Sequence, residues 1–491
     1  MADGPGQHDG GQARAGLIVP GAEGLGPAEG VPAAGTRRRR ALLLWLGASL
    51  ALLAGYRWNA WGAAYPEAFA TTQRDTEGLV FGRLLDAEAH GFLAHGALLG
   101  FAGELREDLL TFDSADLWAR FTPEAQRLFY LQGARLRAYG PYLTHSGLQG
   151  SAFVLLDRAL GFLSRPARLE VFATLQAALV AAAYAALAAF LWHELGLGAA
   201  LGALLVAGAS PWLTCFAPNL YFSIWLFWLP GLALGWALRD PARAHEGRRL
   251  FLASFLGFLP RMLAGLEFMT ATASLAAAPI LYLSLRDQVG ARAFLRRTLV
   301  AGAASALALV LSLGLLAFQI RALTGSFEPA LQHIQHSWAR RAGNDPSGMP
   351  PVYAEAMRTE LRTVLRFYLT DPFDRDYPVK PPVVRWFLAR TPAELGLAML
   401  AAAAWLALRT RRLPSAARRS AVGLLVAVAA ALAGVLAWLV VFKAHSALHP
   451  HVNPLLWHLG FLVLGGALGG WALEDGLRAL RRRPERAAAA A

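Results

Sequence analysis

The sequence is poor in cysteine, in lysine and in charged residues generally. Its one cysteine, Cys215, excludes an internal disulfide bond. Only 16% of the 491 residues are charged and 56% are hydrophobic, which excludes an ordinary soluble protein of this length. No internal repeat is evident, and this argues against a transporter built from inverted repeats.

Long apolar runs recur along the chain. Each is long enough to cross the roughly 30 Å hydrocarbon core of a bilayer as a helix. Backbone polar groups in lipid must be satisfied within their own segment, so these runs are predicted to be helical. The predicted fold class is therefore all-α, a polytopic transmembrane helical bundle with about ten spans, at 41–57, 169–191, 197–213, 219–238, 250–266, 267–285, 298–320, 386–408, 420–442 and 454–475.

The basic residues orient these spans. The net charge of +13 comes almost entirely from arginine, since the only lysines are Lys380 and Lys443. Arginine clusters at the ends of spans, so the charge indicates membrane orientation rather than nucleic-acid binding. Threading ten spans places both termini and all five arginine-rich segments in the cytoplasm, namely 37–40, 239–249, 286–297, 409–419 and 478–486.

The same threading divides the chain into domains. Residues 37–480 are predicted to form the membrane domain, and 58–168 and 321–385 are its large extracytoplasmic loops. Residues 1–36, rich in glycine, alanine and proline, are predicted to be a disordered cytoplasmic tail, and 481–491 to be a second tail. The apolar segment that follows "RRRR" lacks a convincing cleavage site, which favours an uncleaved anchor over a signal peptide.

One apolar segment is ambiguous. Residues 147–163 carry Asp157 and Arg158 within an otherwise apolar stretch. Counting this segment as a span reverses the orientation of the loops that follow it. We therefore predict an amphipathic helix at the outer interface instead.

The stretch "RDTEG", 74–78, opens a helical pattern in the first large loop. Asp75 or Glu77 is a candidate general base or metal ligand, and Arg74 stands beside them. The alternative is structural, because acidic residues are favoured at helix N-termini and Thr76 or Asp75 is a candidate cap. The helix itself is predicted to run along the membrane surface.

Two ionisable residues lie in the "PRMLAGLEF" bend, 260–268. Arg261 and Glu267 stand in an otherwise apolar stretch, and ionisable residues at membrane depth mark functional sites by default. The alternative is an Arg261–Glu267 pair that satisfies itself.

The stretch "KAHSALHPHVN", 443–453, gathers titratable groups at the outer end of a span. His445 and His449 share one helical face, and His451 follows Pro450. Three interpretations are open: a divalent metal site, a phosphate site built with Lys443, or an interfacial cap. A second outer loop adds His333, His336, Arg340 and Arg341, and it either covers a cavity or only connects spans.

Several stretches together resemble an uncharacterised bacterial branch of the GT-C-fold membrane glycosyltransferases. They are "GLQG" (147–150), "SPW…NLY" (210–221), "GLEF" (265–268) and "AHSALHPHVN" (444–453), after a single span and a large acidic first loop. The resemblance implies an enzyme of the bacterial cytoplasmic (inner) membrane that transfers a sugar from a polyprenyl-phosphate donor to a glycan or lipid acceptor at the extracytoplasmic face. It implies catalytic roles for Asp75 and Glu77.

Substrate-binding roles are predicted for residues in the same outer segments. These are Arg74, Gln149, Asn219, Arg261, Glu267, Lys443, His445, His449, His451 and Asn453. If one site unites them, Asp75 or Glu77 lies within roughly 12 Å of Lys443, His445 or His449. The bilayer is a predicted partner and nucleic acid is not; a divalent metal stays open as a cofactor.

Two other functions compete with this prediction. A transporter or flippase of lipid-linked sugars is expected to place ionisable residues near span centres, whereas here they stand mostly at outer span ends. A non-catalytic membrane assembly protein is expected to tolerate Asp75→Ala and Glu77→Ala without phenotype.

Overall fold

The computed structural model describes residues 34–239, 245–343, 345–371, 390–410, 413 and 415–490. The predicted tail 1–36 lies almost wholly outside these residues, and so does Lys380. Helices dominate, and the strands are β1 Gly100–Gly103 and β2 Ala138–Pro141, which pair antiparallel with Gly100 opposite Pro141. The predicted all-α class is confirmed.

The helices follow one another with short connections, except around the two large loops. They are α1 Ala34–Trp58, α2 Pro66–Thr71, α3 Arg74–Ala89, α4 Ser114–Arg120, α5 Gln126–Gln132, α6 Leu148–Ala159, α7 Arg165–Leu195, α8 Leu197–Ala209, α9 Pro211–Phe216, α10 Trp225–Leu238, α11 Glu246–Ala264, α12 Met269–Arg286, α13 Ala291–Thr324, α14 Glu328–Ala342, α15 Pro351–Arg358, α16 Leu361–Thr370, α17 Pro392–Thr410, α18 Ser415–Val441, α19 Lys443–Leu448 and α20 Leu462–Ala490.

Five of these helices, α1, α7, α13, α17 and α18, contain segments long and apolar enough to cross a membrane. The other predicted spans correspond to α8, α10, α11, α12 and α20, which are shorter, less apolar or more charged. The chain is thus a helical protein with several candidate membrane spans. The total of ten spans stays a prediction.

Glycines bring α8 and α20 into near backbone contact. A Cβ atom on Gly202 would lie 2.1 Å from the backbone oxygen of Gly466. A Cβ on Gly470 would lie 2.0 Å from the oxygen of Gly198. Small residues permit such close crossings between membrane helices, where van der Waals packing replaces the hydrophobic effect.

We expect Gly202→Ala to destabilise the protein. The added methyl group must push two helix backbones apart, and overpacking of this kind costs about 1–3 kcal/mol. The matched control is Gly302→Ala in α13, where a Cβ meets no atom within 4 Å. Thermal unfolding in detergent should show a lower midpoint for Gly202→Ala only; equal midpoints for the two variants would contradict the close crossing.

Helix α3 is buried rather than exposed at a membrane surface, so the predicted surface helix is wrong. Residues 77–87 are all buried beneath α5, α6 and the small sheet. Gly82 permits this packing, because a Cβ there would lie 2.1 Å from the backbone oxygen of Gly100. Arg83 and Asp86 form a buried ion pair with each other.

Helix α6 occupies the ambiguous segment 147–163. Its 12 residues extend for about 18 Å, too short to cross a bilayer core of roughly 30 Å. It packs against α3 and α11, and its Asp157 carboxylate forms an ion pair with Arg168 at 2.7 Å. This placement agrees with a helix that lies beside the bundle without spanning it.

Candidate functional site

A cavity of about 330 Å³ lies among the connections between helices. Its walls come from the start of α3, from α4, from the α9–α10 and α11–α12 connections, from α14 and α15, and from α19 with the turn after it. None of its lining residues belongs to the five candidate spans. The cavity therefore sits at one end of the helical bundle.

Asp75 lines this cavity from the first turn of α3. The helix begins after Gln73, whose φ is 56°, and it has no side-chain cap. Thr76 Oγ1 donates a hydrogen bond to the Gln73 carbonyl at 3.0 Å. A capping side chain would instead accept a hydrogen bond from a backbone N–H group. The half-buried Asp75 carboxylate makes neither an ion pair nor a hydrogen bond with the described residues. The capping alternative does not account for it.

Glu77 has a different environment from Asp75. It is buried, it forms an ion pair with Arg74, and it accepts a hydrogen bond from the Leu220 backbone N–H at 3.2 Å. It does not line the cavity. Glu77 and Arg74 therefore hold the α9–α10 connection against the start of α3 and fix the position of Asp75.

Asn219 reinforces the same junction. Its Nδ2 donates to the Gln73 carbonyl at 3.3 Å, and its Oδ1 accepts from the Tyr221 and Phe222 N–H groups at 2.9 and 3.2 Å. Gln149 donates from Nε2 to the Tyr221 carbonyl at 3.1 Å. Both side chains are buried behind the wall that Tyr221 and Phe222 present to the cavity.

Arg261 and Glu267 do not simply satisfy each other. Arg261 donates to the Gly265 carbonyl at 2.8 Å and to the Glu267 carbonyl, and its guanidinium stacks over Phe227 at 4.0 Å. The Glu267 side chain lines the cavity, where the Tyr221 hydroxyl lies 3.4 Å away. Burial acts to raise the pKa of Glu267, but electrostatic interactions with His145, Arg261 and Arg341 outweigh it and lower the pKa. The cavity thus contains the carboxylate of Glu267 in addition to that of Asp75.

The three histidines of 443–453 line the cavity together. Ring centroids are 4.5 Å apart for His445 and His449, and 5.6 Å apart for His449 and His451. Burial, the other histidines and nearby arginines lower the pKa of His449 to about 4 and that of His445 well below its usual value. Both imidazoles are neutral at pH 7, and a bound anion favours their protonation.

Lys443 and Asn453 point elsewhere. Lys443 Nζ donates to the Met357 carbonyl at 2.8 Å, and Asn453 Nδ2 donates to the Tyr368 hydroxyl at 3.1 Å. Neither residue lines the cavity. They hold α15 and α16 against the histidine segment, so the predicted phosphate contact through Lys443 has no support in this geometry.

The strongest cations of the cavity are Arg340 and Arg341. Both lie in the second predicted outer loop, and neither is among the residues predicted to bind substrate. Arg340 is buried with its guanidinium 4.7 Å from the Tyr353 ring, and Arg341 donates to the Ser337 carbonyl at 3.2 Å. A signal for them exists in the sequence, because an Arg-Arg pair in a predicted outer loop departs from the positive-inside rule.

The cavity therefore combines carboxylates with guanidinium and imidazole groups. Asp75 and Glu267 face the same space as Arg340, Arg341 and the histidine segment. A carboxylate in such a place accepts a proton, while the cationic donors hold an anion such as phosphate.

Known proteins provide no guide to this cavity. Comparison with family models, with curated proteins and with solved structures gives no match to the chain. The resemblance to GT-C-fold glycosyltransferases stays a prediction.

Proposed function

We propose that the protein is an integral membrane glycosyltransferase that uses a polyprenyl-phosphate-linked sugar as donor at the extracytoplasmic face. One observation carries the proposal. The half-buried Asp75 carboxylate forms no ion pair or hydrogen bond with the described residues, and it lines the same cavity as Arg341 and the three histidines. A proton acceptor and an anion-binding group in one cavity are the two requirements of transfer from a lipid phosphate.

Each group has a defined role in the proposed reaction. The acceptor hydroxyl attacks the anomeric carbon of the sugar, and its proton passes to the Asp75 carboxylate. The bond between that carbon and the phosphate oxygen breaks, and the oxygen keeps the electron pair. Arg341 and His449 donate hydrogen bonds to the departing polyprenyl phosphate and stabilise its charge. Glu77, buried and paired with Arg74, positions Asp75.

The location of the cavity supports an extracytoplasmic site. If α10, α11, α12 and α13 each cross the membrane, as the ten predicted spans require, the α11–α12 connection with Glu267 lies on the opposite side from the α10–α11 and α12–α13 connections. Those two connections carry the arginine-rich segments 239–249 and 286–297. By the positive-inside rule the arginine-rich end faces the cytoplasm, and the cavity faces outward.

The test is turnover of defined donors. Full-length protein in nanodiscs is supplied with decaprenyl-phosphate-linked mannose, glucose, galactose or arabinose and a set of methyl glycosides, and released decaprenyl phosphate is measured. We expect release with at least one donor, dependent on an acceptor. Protein-dependent movement of a fluorescent donor across vesicle membranes without release would identify a flippase and contradict the proposal. Absence of both donor turnover and flipping would also contradict the proposal and would favour a non-catalytic membrane assembly protein.

A further inference from the structure

A second polar cluster lies at the other end of α3 from the cavity. It consists of Asp86, His90 and His95, whose ligand atoms all lie within 4.8 Å of one another. Asp86 is eleven residues beyond Asp75, about 16 Å along the helix, and none of the three side chains lines the cavity. Among the described residues, this is the one group of three or more His, Cys, Asp or Glu side chains whose ligand atoms converge closely enough to hold a metal ion. The histidines of 443–453 do not form such a group.

One carboxylate oxygen is the centre of the cluster. Asp86 Oδ1 lies 3.0 Å from His90 Nδ1 and 2.7 Å from His95 Nδ1. The other oxygen, Oδ2, is bound by the Arg83 guanidinium, which also donates to the Phe92 carbonyl. Arg83 and Asp86 are fully buried, so the carboxylate is fixed with Oδ1 directed at the two imidazoles.

The helix and the loop after it bring the two imidazoles together. Asp86 and His90 are four residues apart, which places them on one face where α3 ends. The loop then returns His95 to the same carboxylate, with His95 at φ 48° and ψ 37°. The two rings stand edge to face with centroids 5.5 Å apart, and both present Nδ1 to the same oxygen.

A further carboxylate orients His95 from behind. His95 Nε2 lies 3.0 Å from Asp108 Oδ2, and Asp108 Oδ1 accepts the Tyr139 backbone N–H at 2.8 Å. Metal-binding histidines commonly have this arrangement, in which the far nitrogen donates to a carboxylate and the near nitrogen faces the ion. When His95 donates from Nε2 to Asp108, its Nδ1 atom and Asp86 Oδ1 face each other at 2.7 Å, and either a proton on Nδ1 or a bound metal ion fills the space between them.

We propose that Asp86, His90 and His95 bind a divalent transition metal of the zinc class, separate from the cavity. The ligands would be Asp86 Oδ1 and the two Nδ1 atoms. Ligand atoms on a tetrahedral zinc ion are about 3.3 Å apart, so the two separations from Asp86 Oδ1 would open by about 0.3 Å to His90 and about 0.6 Å to His95. The His90 side chain is 37% exposed, which leaves room for water as the fourth ligand.

The bound ion would join three parts of the first large loop. Asp86 belongs to α3, His95 to the loop that precedes β1, and Asp108 is bonded to β2 through Tyr139. The ion would therefore hold the far end of α3 in place while the near end presents Asp75. Because ligands bind only when the loop is folded, metal binding adds directly to folding stability.

The test uses full-length protein purified without a polyhistidine tag, stripped with chelator and titrated with ZnCl₂ in detergent. We expect about one zinc ion per chain after gel filtration, and a thermal midpoint several degrees higher with zinc than without it. His90→Ala, at the exposed ligand, is the first variant, and the double variant His90→Ala/His95→Gln is the second. Both should lose the bound zinc and the zinc-dependent rise of the midpoint.

The matched control is His449→Ala/His451→Ala, which removes as many histidines from the cavity. It should keep the zinc stoichiometry and the rise of the midpoint. Wild-type protein without bound zinc would overturn the proposal. Zinc that survives in His90→Ala/His95→Gln but is lost in His449→Ala/His451→Ala would overturn it as well, and would assign the metal to the cavity. None of these measurements depends on the proposed transferase activity.

Discussion

Asp75→Asn is expected to reduce sugar transfer by about 10²- to 10⁴-fold, the usual contribution of a general base. The amide keeps the shape of the side chain but accepts no proton from the acceptor hydroxyl. The Asp75 carboxylate has no ion pair or hydrogen bond with the described residues, so the fold loses no contact. We therefore expect an unchanged thermal midpoint and unchanged affinity for decaprenyl phosphate, with the loss confined to the rate of decaprenyl phosphate release.

Two other carboxyl variants make this prediction specific. Asp116→Asn in α4, whose ion pair with Arg120 is exposed, should change neither activity nor stability. Glu77→Gln removes the charge of a buried carboxylate that pairs with the partly exposed Arg74, and it should lower the thermal midpoint because it disturbs the junction with Leu220. Full activity of Asp75→Asn would contradict the assignment. So would a Glu77→Gln variant that keeps its stability and loses its activity, since Glu77 would then be the base.

Arg341→Gln is expected to weaken the binding of decaprenyl phosphate by about 10- to 100-fold. Hydrogen bonds to a charged group contribute about 1.5–3 kcal/mol, and glutamine lacks the positive charge. The Arg341 guanidinium keeps donors available to a ligand, because one hydrogen bond to the Ser337 carbonyl fixes it at the cavity wall. The dissociation constant of a fluorescent decaprenyl phosphate in nanodiscs measures the effect.

Arg362→Gln is the control for net charge. Arg362 is exposed on α16 and lies outside the cavity lining, so this variant should bind decaprenyl phosphate as the wild type does. The comparison separates a direct contact from a general electrostatic attraction. Equal weakening in the two variants would show that Arg341 acts only through net charge.

The membrane character and the helical class follow from the sequence because they depend on composition and local pattern. Apolar runs without charge are sufficient to indicate α7, α13 and α18. The grouping of Asp75, Glu267 and the histidine segment at one end of the bundle follows from counting spans between arginine-rich connections. The structure places these residues around one cavity.

The division of roles between Asp75 and Glu77 depends on tertiary contacts. The two residues are separated by one position and look equivalent in "RDTEG". In the folded chain Glu77 is buried and accepts a hydrogen bond from Leu220 of the α9–α10 connection, whereas Asp75 lines the cavity. The burial of α3 could not be predicted from the sequence for the same reason. Judged by spacing alone, Arg83 and Asp86 indicate an exposed polar face, although in the structure they form a buried ion pair.

The metal-site hypothesis for 443–453 shows a further limit of spacing arguments. His445 and His449 have a helical spacing suited to a ligand pair, yet the converging ligand atoms among the described residues belong to Asp86, His90 and His95. Those three residues join a helix end to a loop whose path depends on the positive φ of His95. Local periodicity does not indicate that the loop after α3 brings His95 back to Asp86.

The central claim is that Asp75 and Arg341 share a cavity that binds a lipid phosphate. An electron cryomicroscopy structure of the full-length protein in nanodiscs containing decaprenyl phosphate tests it most directly. We expect phosphate density within hydrogen-bond distance of Arg341 and of at least one residue of the histidine segment, with Asp75 facing the same space. Lipid density confined to the apolar groove of about 420 Å³ beside Leu315 and Phe318, with no phosphate near Arg341, would contradict it.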